Sequence, residues 1–146
     1  MNYDAVEILF AEDSIDDATL TIRALVKSGF TNKLHHVKDG AEALDFLYCR
    51  GIYASRNISE KPKLILLDLK MPKLTGMEVL EKIKSDPIFK SIPVVILTSS
   101  NEDPDVQKCY ALGANSYIVK PVDSDNFFNA IKEIGMYWVI INQPNH

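Results

Sequence analysis

The sequence is poor in cysteine and has no pair of cysteines at a spacing typical of metal sites. Its two cysteines, Cys49 and Cys109, each fall in a stretch whose apolar residues recur at helical spacing. This placement favours buried thiols, and a disulfide between them would require an oxidising compartment. We therefore expect two reduced cysteines inside the fold.

The sequence also has no excess of positive charge and no long apolar run. It contains 16 Lys and Arg against 20 Asp and Glu, which gives a net charge of -4. Domains that bind nucleic acid normally present a basic face. No window approaches the roughly 20 apolar residues that span a bilayer, and the first ten residues lack the basic region of a signal peptide. We expect a cytoplasmic protein that binds neither nucleic acid nor membrane.

What the sequence does contain is a regular alternation of strand-like and helix-like segments. Five runs have the composition of strands: residues 6–11, 34–37, 64–68, 93–98 and 116–119. The third run, LILLD, is continuously apolar, which indicates a strand covered on both faces. Such alternation predicts an α/β fold, with a doubly wound parallel sheet and helices on both sides. We expect one domain over residues 1–146.

The segments between these strands predict helices and one insertion. The expected inward faces are Ala18, Ile22, Leu25 and Val26 in the first helix, Met77, Leu80 and Ile83 in the third, and Val106, Tyr110 and Leu112 in the fourth. The third helix begins at Gly76 and ends at Asp86-Pro87, because the residue before proline disfavours helix. Residues 51–62, GIYASRNISEKP, are rich in turn formers and predict a loop insertion.

Polar side chains follow four of the five predicted strands. Ligands bind outside the carboxyl ends of the strands in an open parallel sheet. The residues at those ends are Glu12 and Asp13 after strand one, Asp68 after strand three, Thr98 and Ser99 after strand four, and Lys120 after strand five. A lone acid there is more often a turn former or a helix cap. Three acids at one edge repel one another unless a cation compensates.

The residue types at this edge favour Mg²⁺ and a phosphoryl group. Two acids with backbone carbonyl and water suit Mg²⁺ better than the fuller cage of Ca²⁺. With the cation bound, Lys120 and the Thr98 hydroxyl describe a cradle for a second oxyanion. Asp68, at the end of a rigid central strand, is the natural nucleophile, since aspartyl phosphates are an established covalent intermediate.

These residues resemble those of the receiver domain of two-component response regulators over about residues 5 to 138. The matching motifs are the acid pair Glu12-Asp13, the pattern D-x-x-M-P-x-x-x-G from Asp68 to Gly76, Thr98, and Lys120-Pro121. The resemblance implies the flavodoxin-like receiver fold with strand order 2-1-3-4-5. It also implies a cis bond before Pro121.

The resemblance further implies a role for each site residue. Asp68 would accept a phosphoryl group from a sensor histidine kinase or a histidine phosphotransfer protein. Asp13, Asp68 and the backbone carbonyl of Lys70 would hold Mg²⁺, with Glu12 acting through a bound water. Thr98 and Lys120 would contact the phosphoryl oxygens. Tyr117 would turn inward when the Thr98 hydroxyl moves, which makes the fourth helix, fifth strand and fifth helix the output surface.

Two positions depart from the common pattern of that family. Glu12 stands where many relatives have Asp, which bears on metal affinity, and Ser99 replaces a frequent smaller residue. No output domain is expected, so the output would be a contact of the domain's own surface. The insertion and the C-terminal Tyr-Trp pair are similar to those of small receivers paired with bacterial phytochromes, especially in cyanobacteria.

The last predicted helix carries a heptad-like apolar stripe. It consists of Phe127, Ile131, Ile134, Trp138 and Ile141, and a helix capped at Ser124 would reach about Ile141. Gly135 is a weak point within it. The stripe is a candidate interface for a homodimer or another partner. The competing interpretation is that residues 136–141 turn back onto the domain. Residues 124–146 are thus either an extended helix or a helix and a tail.

Other functions of such a fold fit the residues less well. An aspartyl-nucleophile phosphatase needs a general acid two residues after the nucleophile, where this chain has Lys70. A flavin-binding protein needs a loop rich in Ser, Thr and Gly after strand one, where this chain has two acids. A phosphorelay intermediate and an unphosphorylated adaptor remain as alternatives to the switch. We expect a phosphoacceptor switch with weak self-dephosphorylation rather than an enzyme.

Overall fold

The computed structural model describes residues 6–29, 33–99 and 104–135. Five parallel strands form one sheet in the order β2-β1-β3-β4-β5. The strands are β1 Ile8–Ala11, β2 Leu34–Val37, β3 Leu64–Asp68, β4 Val94–Thr98 and β5 Ser116–Val119. The helices are α1 Ile15–Lys27, α2 Gly40–Tyr48, α3 Gly76–Ser85, α4 Pro104–Leu112 and α5 Ser124–Glu133, with a 3-10 turn at Gly51–Tyr53. The predicted fold and strand order are confirmed.

The sheet separates two apolar layers. Alternate residues of β3 point to opposite sides, so that Ile65 and Leu67 join one cluster while Leu64 and Leu66 join the other. The first layer contains residues of α2, α3 and α4, and the second contains residues of α1 and α5. All residues of β1, β3 and β4 are buried. This double coverage explains why those strands read as continuous apolar runs.

The inward face of α1 differs from the predicted one. Ala18 and Leu25 are buried as expected, but Ile22 is 36% exposed and Val26 is 66% exposed. The helix instead buries Thr21 and Ala24. Small residues on this face let α1 approach its neighbours closely, so choosing the largest apolar residues gave the wrong side. In α4 the same correction applies to Tyr110, which is exposed, while Cys109 is buried.

The insertion is more ordered than the predicted loop. It begins with the 3-10 turn Gly51–Tyr53, and the side chains of Tyr53 and Arg56 are buried. Arg56 donates from Nη1 to the backbone oxygen of Phe46 and from Nη2 to that of Glu60, the latter at 2.8 Å. Its guanidinium lies 3.9 Å from the centre of the Phe46 ring. The segment is therefore attached to α2 rather than free.

Helix α5 ends earlier than predicted. Its N-cap is Asp123 rather than Ser124, and Asp123 and Asn126 form a capping box. The helix ends at Glu133, and Gly135 follows with φ of 77°. A left-handed residue of this kind commonly terminates a helix, and glycine adopts it without a Cβ penalty. The predicted continuation to Ile141 is therefore wrong for the helix.

The interface candidates on α5 must be revised accordingly. Phe127 and Ile131 are fully buried in the layer that α5 shares with α1, so they are core residues. Ile134 is half-buried and packs against the same layer. Trp138 and Ile141 lie outside the described residues. Phe127 and Ile131 were therefore wrong as interface candidates. The heptad pattern had selected the side of α5 that packs on the sheet.

Both cysteines are free thiols, as expected. Cys109 is buried and Cys49 is half-buried. Among the described residues, no helix combines the length and apolar character needed to cross a bilayer. The peptide bond between Lys120 and Pro121 is cis, which agrees with the expectation from the receiver pattern.

Candidate functional site: an acidic pocket at the strand ends

Asp68 is the last residue of the central strand, and its side chain is almost completely buried. It is 5% exposed, and its neighbours in the sheet are β1 and β4. The next residue, Leu69, donates its backbone N–H to the oxygen of Leu97 at 2.9 Å, which continues the pairing past the end of β3. The carboxylate is therefore held by a rigid backbone at the floor of a cavity.

That cavity has a volume of about 230 Å³ and is lined mainly by polar side chains. The sequence predicted Glu12, Asp13, Asp68, Thr98, Ser99, Lys70 and Lys120 for the strand ends, and all seven line it. Thr98 is buried at the end of β4, and Ser99 and Lys70 are exposed. The structure thus brings the predicted residues together at one edge of the sheet.

Three carboxylates in the cavity are close enough to share one cation. One oxygen from each of Glu12, Asp13 and Asp68 lies within 4.8 Å of the other two. Glu12 and Asp68 are buried, while Asp13 is exposed at the mouth. Oxygen donors are the ligands that hard divalent cations prefer, and an incomplete set leaves room for water and for a second ligand. The residues therefore fit a hard divalent metal ion.

The Lys120 ammonium lies among the acids. Its Nζ is 2.8 Å from Glu12 Oε1 and 3.1 Å from Asp68 Oδ1. Burial alone would lower the pKa of Lys120, but the hydrogen bonds and charges of Glu12 and Asp68 outweigh burial and raise it. Lys120 therefore stays protonated and provides a fixed positive charge beside the carboxylate of Asp68.

Asp68 itself is a weak acid in this pocket. Burial raises the pKa of Asp68 to about 7, and the hydrogen bond and negative charge of Glu12 act in the same direction. Lys120 opposes this shift without cancelling it. A cation placed among the three acids would favour the ionised form of Asp68, since an opposite charge nearby stabilises a carboxylate.

The loop after Asp68 requires glycine at its end. Gly76 opens α3 and donates its backbone N–H to the oxygen of Leu69 at 2.9 Å. A Cβ on Gly76 would overlap the carbonyl oxygen of Asp68 and approach Leu69 Cα to 2.8 Å. The capping box of Thr75 and Glu78 fixes the start of the helix. The spacing from Asp68 to Gly76 is thus a packing requirement of the pocket.

The loop between β1 and α1, which carries the acid pair, is held from two sides. His36 Nε2 lies 2.7 Å from the backbone oxygen of Glu12. The N–H of Ser14 donates to Glu12 Oε2 at 3.2 Å, and Ser14 caps α1. His35 points to the other face of β2 and contacts the Tyr53 hydroxyl at 2.8 Å. Both histidines are packing residues, and His36 also positions Glu12.

Tyr117, the predicted switch residue, lies on β5 and is half-buried. Its ring is 6.0 Å from that of Tyr110 on α4, in an edge-on arrangement. The pair therefore links the edge strand to α4. Whether Tyr117 turns inward with Thr98 stays a prediction.

The pocket contains a further acid that the sequence did not predict as a site residue. Asp17, in the first turn of α1, lines the cavity and places Oδ2 3.1 Å from Lys120 Nζ. Acids are common in the first turn of helices because they complement the helix dipole. The sequence therefore gave no reason to assign Asp17 to the pocket. Its spacing from Asp13 gave no signal either, because Asp13 precedes the N-cap Ser14 and lies outside α1.

Comparisons with known proteins agree with this geometry. The family described as Response regulator receiver domain matches residues 8–132. The response regulator Rcp1 from Synechocystis is 39% identical over 132 residues, which cover 90% of this chain and 88% of that sequence. A solved structure described as the Mn²⁺-bound form of Rcp1 has a TM-score of 0.73 and covers 90% of this chain and 93% of its own.

Two further solved structures are similar along nearly the whole chain. The bacteriophytochrome response regulator RtBRR is 47% identical, with a TM-score of 0.86, and covers 94% of this chain and 82% of its own. The phosphorylated cyanobacterial phytochrome response regulator RcpA is 40% identical, with a TM-score of 0.74, covering 92% and 95%. Fold and pocket are those of a receiver domain. The chain belongs to the response regulator receiver family.

Proposed function

We propose that this chain is a response regulator whose receiver domain accepts a phosphoryl group on Asp68. The observation that carries the proposal is the position of Asp68, buried at the end of the central strand with two further acids within 4.8 Å and an ammonium at 3.1 Å. A nucleophilic carboxylate beside a cation site and a fixed positive charge is the arrangement that phosphoryl transfer requires.

The proposed donor is a phosphohistidine on a sensor histidine kinase or a histidine phosphotransfer protein. An oxygen of Asp68 bonds to the phosphorus, the phosphorus–nitrogen bond breaks, and the histidine leaves with its electron pair. Lys120 and the Thr98 hydroxyl would contact the phosphoryl oxygens. Because the transition state is loose, positioning and charge balance supply most of the catalysis.

The residues that would hold Mg²⁺ are Asp13, Asp68 and the backbone carbonyl of Lys70, with Glu12 acting through a water. When bound, the ion neutralises charge on the transferred group. The exposure of Asp13 at the mouth supports this assignment, because the ion needs access from solvent.

The proposed output is a change of the surface formed by α4, β5 and α5. β5 is an edge strand, and a groove of about 320 Å³ lies between it and α5. The exposed Tyr110 lies beside the half-buried Tyr117. A rearrangement of Thr98 at the end of β4 would reach this surface through Tyr117, and a homodimer or a partner protein would bind there.

We further propose a cytoplasmic phytochrome kinase as the donor, because similar proteins are described as phytochrome and bacteriophytochrome response regulators.

A hydrolase function for this chain is disfavoured. Lys70, two residues after Asp68, cannot act as the general acid of an aspartyl phosphatase, so the chain would turn over only its own phosphate, and slowly.

The test is incubation with Mg²⁺ and acetyl phosphate, followed by intact mass. One added phosphoryl group is expected on the wild type, none after chelation of the metal, and none on Asp68→Asn. Asp16→Asn is the matched control, since Asp16 is an exposed acid that does not line the cavity. Labelling that persists in Asp68→Asn would overturn the proposal.

A further inference from the structure

The ammonium of Lys120 is shared by three carboxylates, and one of them comes from outside the set that the receiver pattern supplies. Its Nζ lies 2.8 Å from Glu12 Oε1, 3.1 Å from Asp68 Oδ1 and 3.1 Å from Asp17 Oδ2. These acids belong to the end of β1, the end of β3 and the first turn of α1. All three contacts are ion pairs, and the one with Asp17 also meets hydrogen-bond geometry.

The position of Asp17 is fixed by the start of α1. The N–H of Asp17 donates to Ser14 Oγ at 3.2 Å, and the N–H of Ser14 donates to Glu12 Oε2 at 3.2 Å. Glu12 and Asp17 are thus tied to the same residue. The Asp17 side chain is 41% exposed and the Lys120 side chain 19%, so their ion pair lies at the cavity wall facing solvent.

Phosphorylation at Asp68 must change this arrangement. A phosphoryl oxygen on Asp68 would compete with Asp17 for the ammonium, because the pair between Lys120 Nζ and Asp17 Oδ2 is a hydrogen bond. Four acidic residues line the cavity: Asp17 together with Glu12, Asp13 and Asp68. Extra negative charge favours a divalent cation and opposes an incoming anionic phosphoryl donor.

We infer that Asp17 is a positioning residue that holds Lys120 in the resting pocket and sets the balance between cation binding and phosphoryl acceptance. This inference rests on the proposed function. Asp17 stabilises the unphosphorylated arrangement by retaining the ammonium. It also raises the affinity of the pocket for the divalent ion, at a cost to the rate at which Asp68 is phosphorylated.

The test compares Asp17→Asn with Asp16→Asn. Both variants remove one negative charge from the first turn of α1, but Asp16 is exposed and does not line the cavity. Two quantities are measured: the Kd for Mg²⁺ of the unphosphorylated protein by calorimetry, and the rate of labelling by acetyl phosphate at saturating Mg²⁺. Thermal unfolding in chelator verifies that both variants fold.

For Asp17→Asn we expect the Kd for Mg²⁺ to rise about threefold or more and the labelling rate to rise by a similar factor, as for a partly screened charge nearby. Asp16→Asn should change neither quantity more than slightly. Asp17→Glu, which restores the charge, should recover most of the Mg²⁺ affinity.

Equal behaviour of Asp17→Asn and Asp16→Asn in both measurements would overturn the inference. The proposed function and the role of Asp17 can be refuted independently of each other. A wild type that takes no label at Asp68 would refute the proposed function, while the Mg²⁺ titration would still decide whether Asp17 contributes to the cation site.

Discussion

Asp68 is an ionisable residue at the end of a strand whose other residues are all aliphatic. Sequence alone could assign it a role, because carboxylates, a hydroxyl and an ammonium follow the other strands and must meet at one edge of a parallel sheet. Asp17 could not be assigned in the same way. It belongs to a helix rather than a strand end, and its contact with Lys120 depends on the angle at which α1 leaves the acid pair.

His35 is a second residue whose environment has a testable consequence. The Tyr53 hydroxyl donates to Glu42 Oε2 at 2.6 Å, so it accepts from His35 Nε2 at 2.8 Å, and His35 carries its proton on Nε2. Its ring stacks on Phe46. Burial lowers the pKa of His35; the charge of Glu42 opposes this, and the remaining charged neighbours, His36, Arg56 and Lys33, add to it.

This lowered pKa makes stability depend on pH. The unfolded chain binds a proton to His35 more readily than the folded protein does, so stability is complete above about pH 6.5 and is lost as the pH falls toward the folded pKa. We expect the free energy of unfolding of the wild type to fall more steeply between pH 7 and 5 than that of His35→Gln. Urea unfolding at several pH values measures it. A difference between the two proteins that does not change with pH would contradict the account.

The helices and the insertion show where sequence reasoning loses precision. The strand runs predicted β2, β3 and β5 closely, and the Asp86-Pro87 pair predicted the end of α3. The face of α1 was missed because Thr21 and Ala24 pack inward while Val26 stays exposed. The order within residues 51–62 was missed because it depends on contacts with α2, which local composition does not reveal.

Arg56 is the residue that we expect to hold this insertion in place. Its guanidinium donates to backbone oxygens of Phe46 and Glu60 and covers the Phe46 ring. Arg56→Gln would remove one donor from each of those oxygens and open a gap, at a cost of about 2–4 kcal/mol in the free energy of unfolding. Urea unfolding gives the value, and limited proteolysis should show earlier cleavage within residues 51–62.

Arg50→Gln is the matched control for that experiment. Arg50 lies on the surface, pairs with Asp45 at 3.4 Å and sits 5.0 Å from the centre of the Tyr48 ring. Exposed contacts of this kind contribute less than about 1 kcal/mol. Equal losses in the two variants would show that Arg56 does not anchor the segment.

At the scale of the whole molecule, the alternation of strands and helices was sufficient to predict the class of fold. Continuous apolar runs indicate strands covered on both faces, and parallel strands joined through a helix have right-handed crossovers. The strand order came from the receiver resemblance rather than from the pattern. The quaternary state followed neither from the resemblance nor from the pattern of strands and helices.

We expect phosphorylation to shift the chain toward a dimer through the surface of α4, β5 and α5. Tyr110→Glu places a charge beside the β5 edge and should weaken that dimer, as measured by sedimentation velocity in Mg²⁺ with acetyl phosphate. Val26→Glu places the same charge on the exposed side of α1, which is not part of that surface, and should leave the dimer unchanged. If Val26→Glu weakens the dimer and Tyr110→Glu does not, the interface lies on α1. A wild type that stays monomeric when phosphorylated would exclude the dimer.

The central claim is that Asp68 is the residue that carries the phosphoryl group. Borohydride reduces an aspartyl phosphate to homoserine, which marks the modified position permanently. The protein is labelled with Mg²⁺ and acetyl phosphate, reduced, digested and sequenced by mass spectrometry. The account predicts homoserine at position 68 and aspartate at positions 13 and 17. Homoserine at another position, with aspartate intact at 68 in labelled protein, would contradict it.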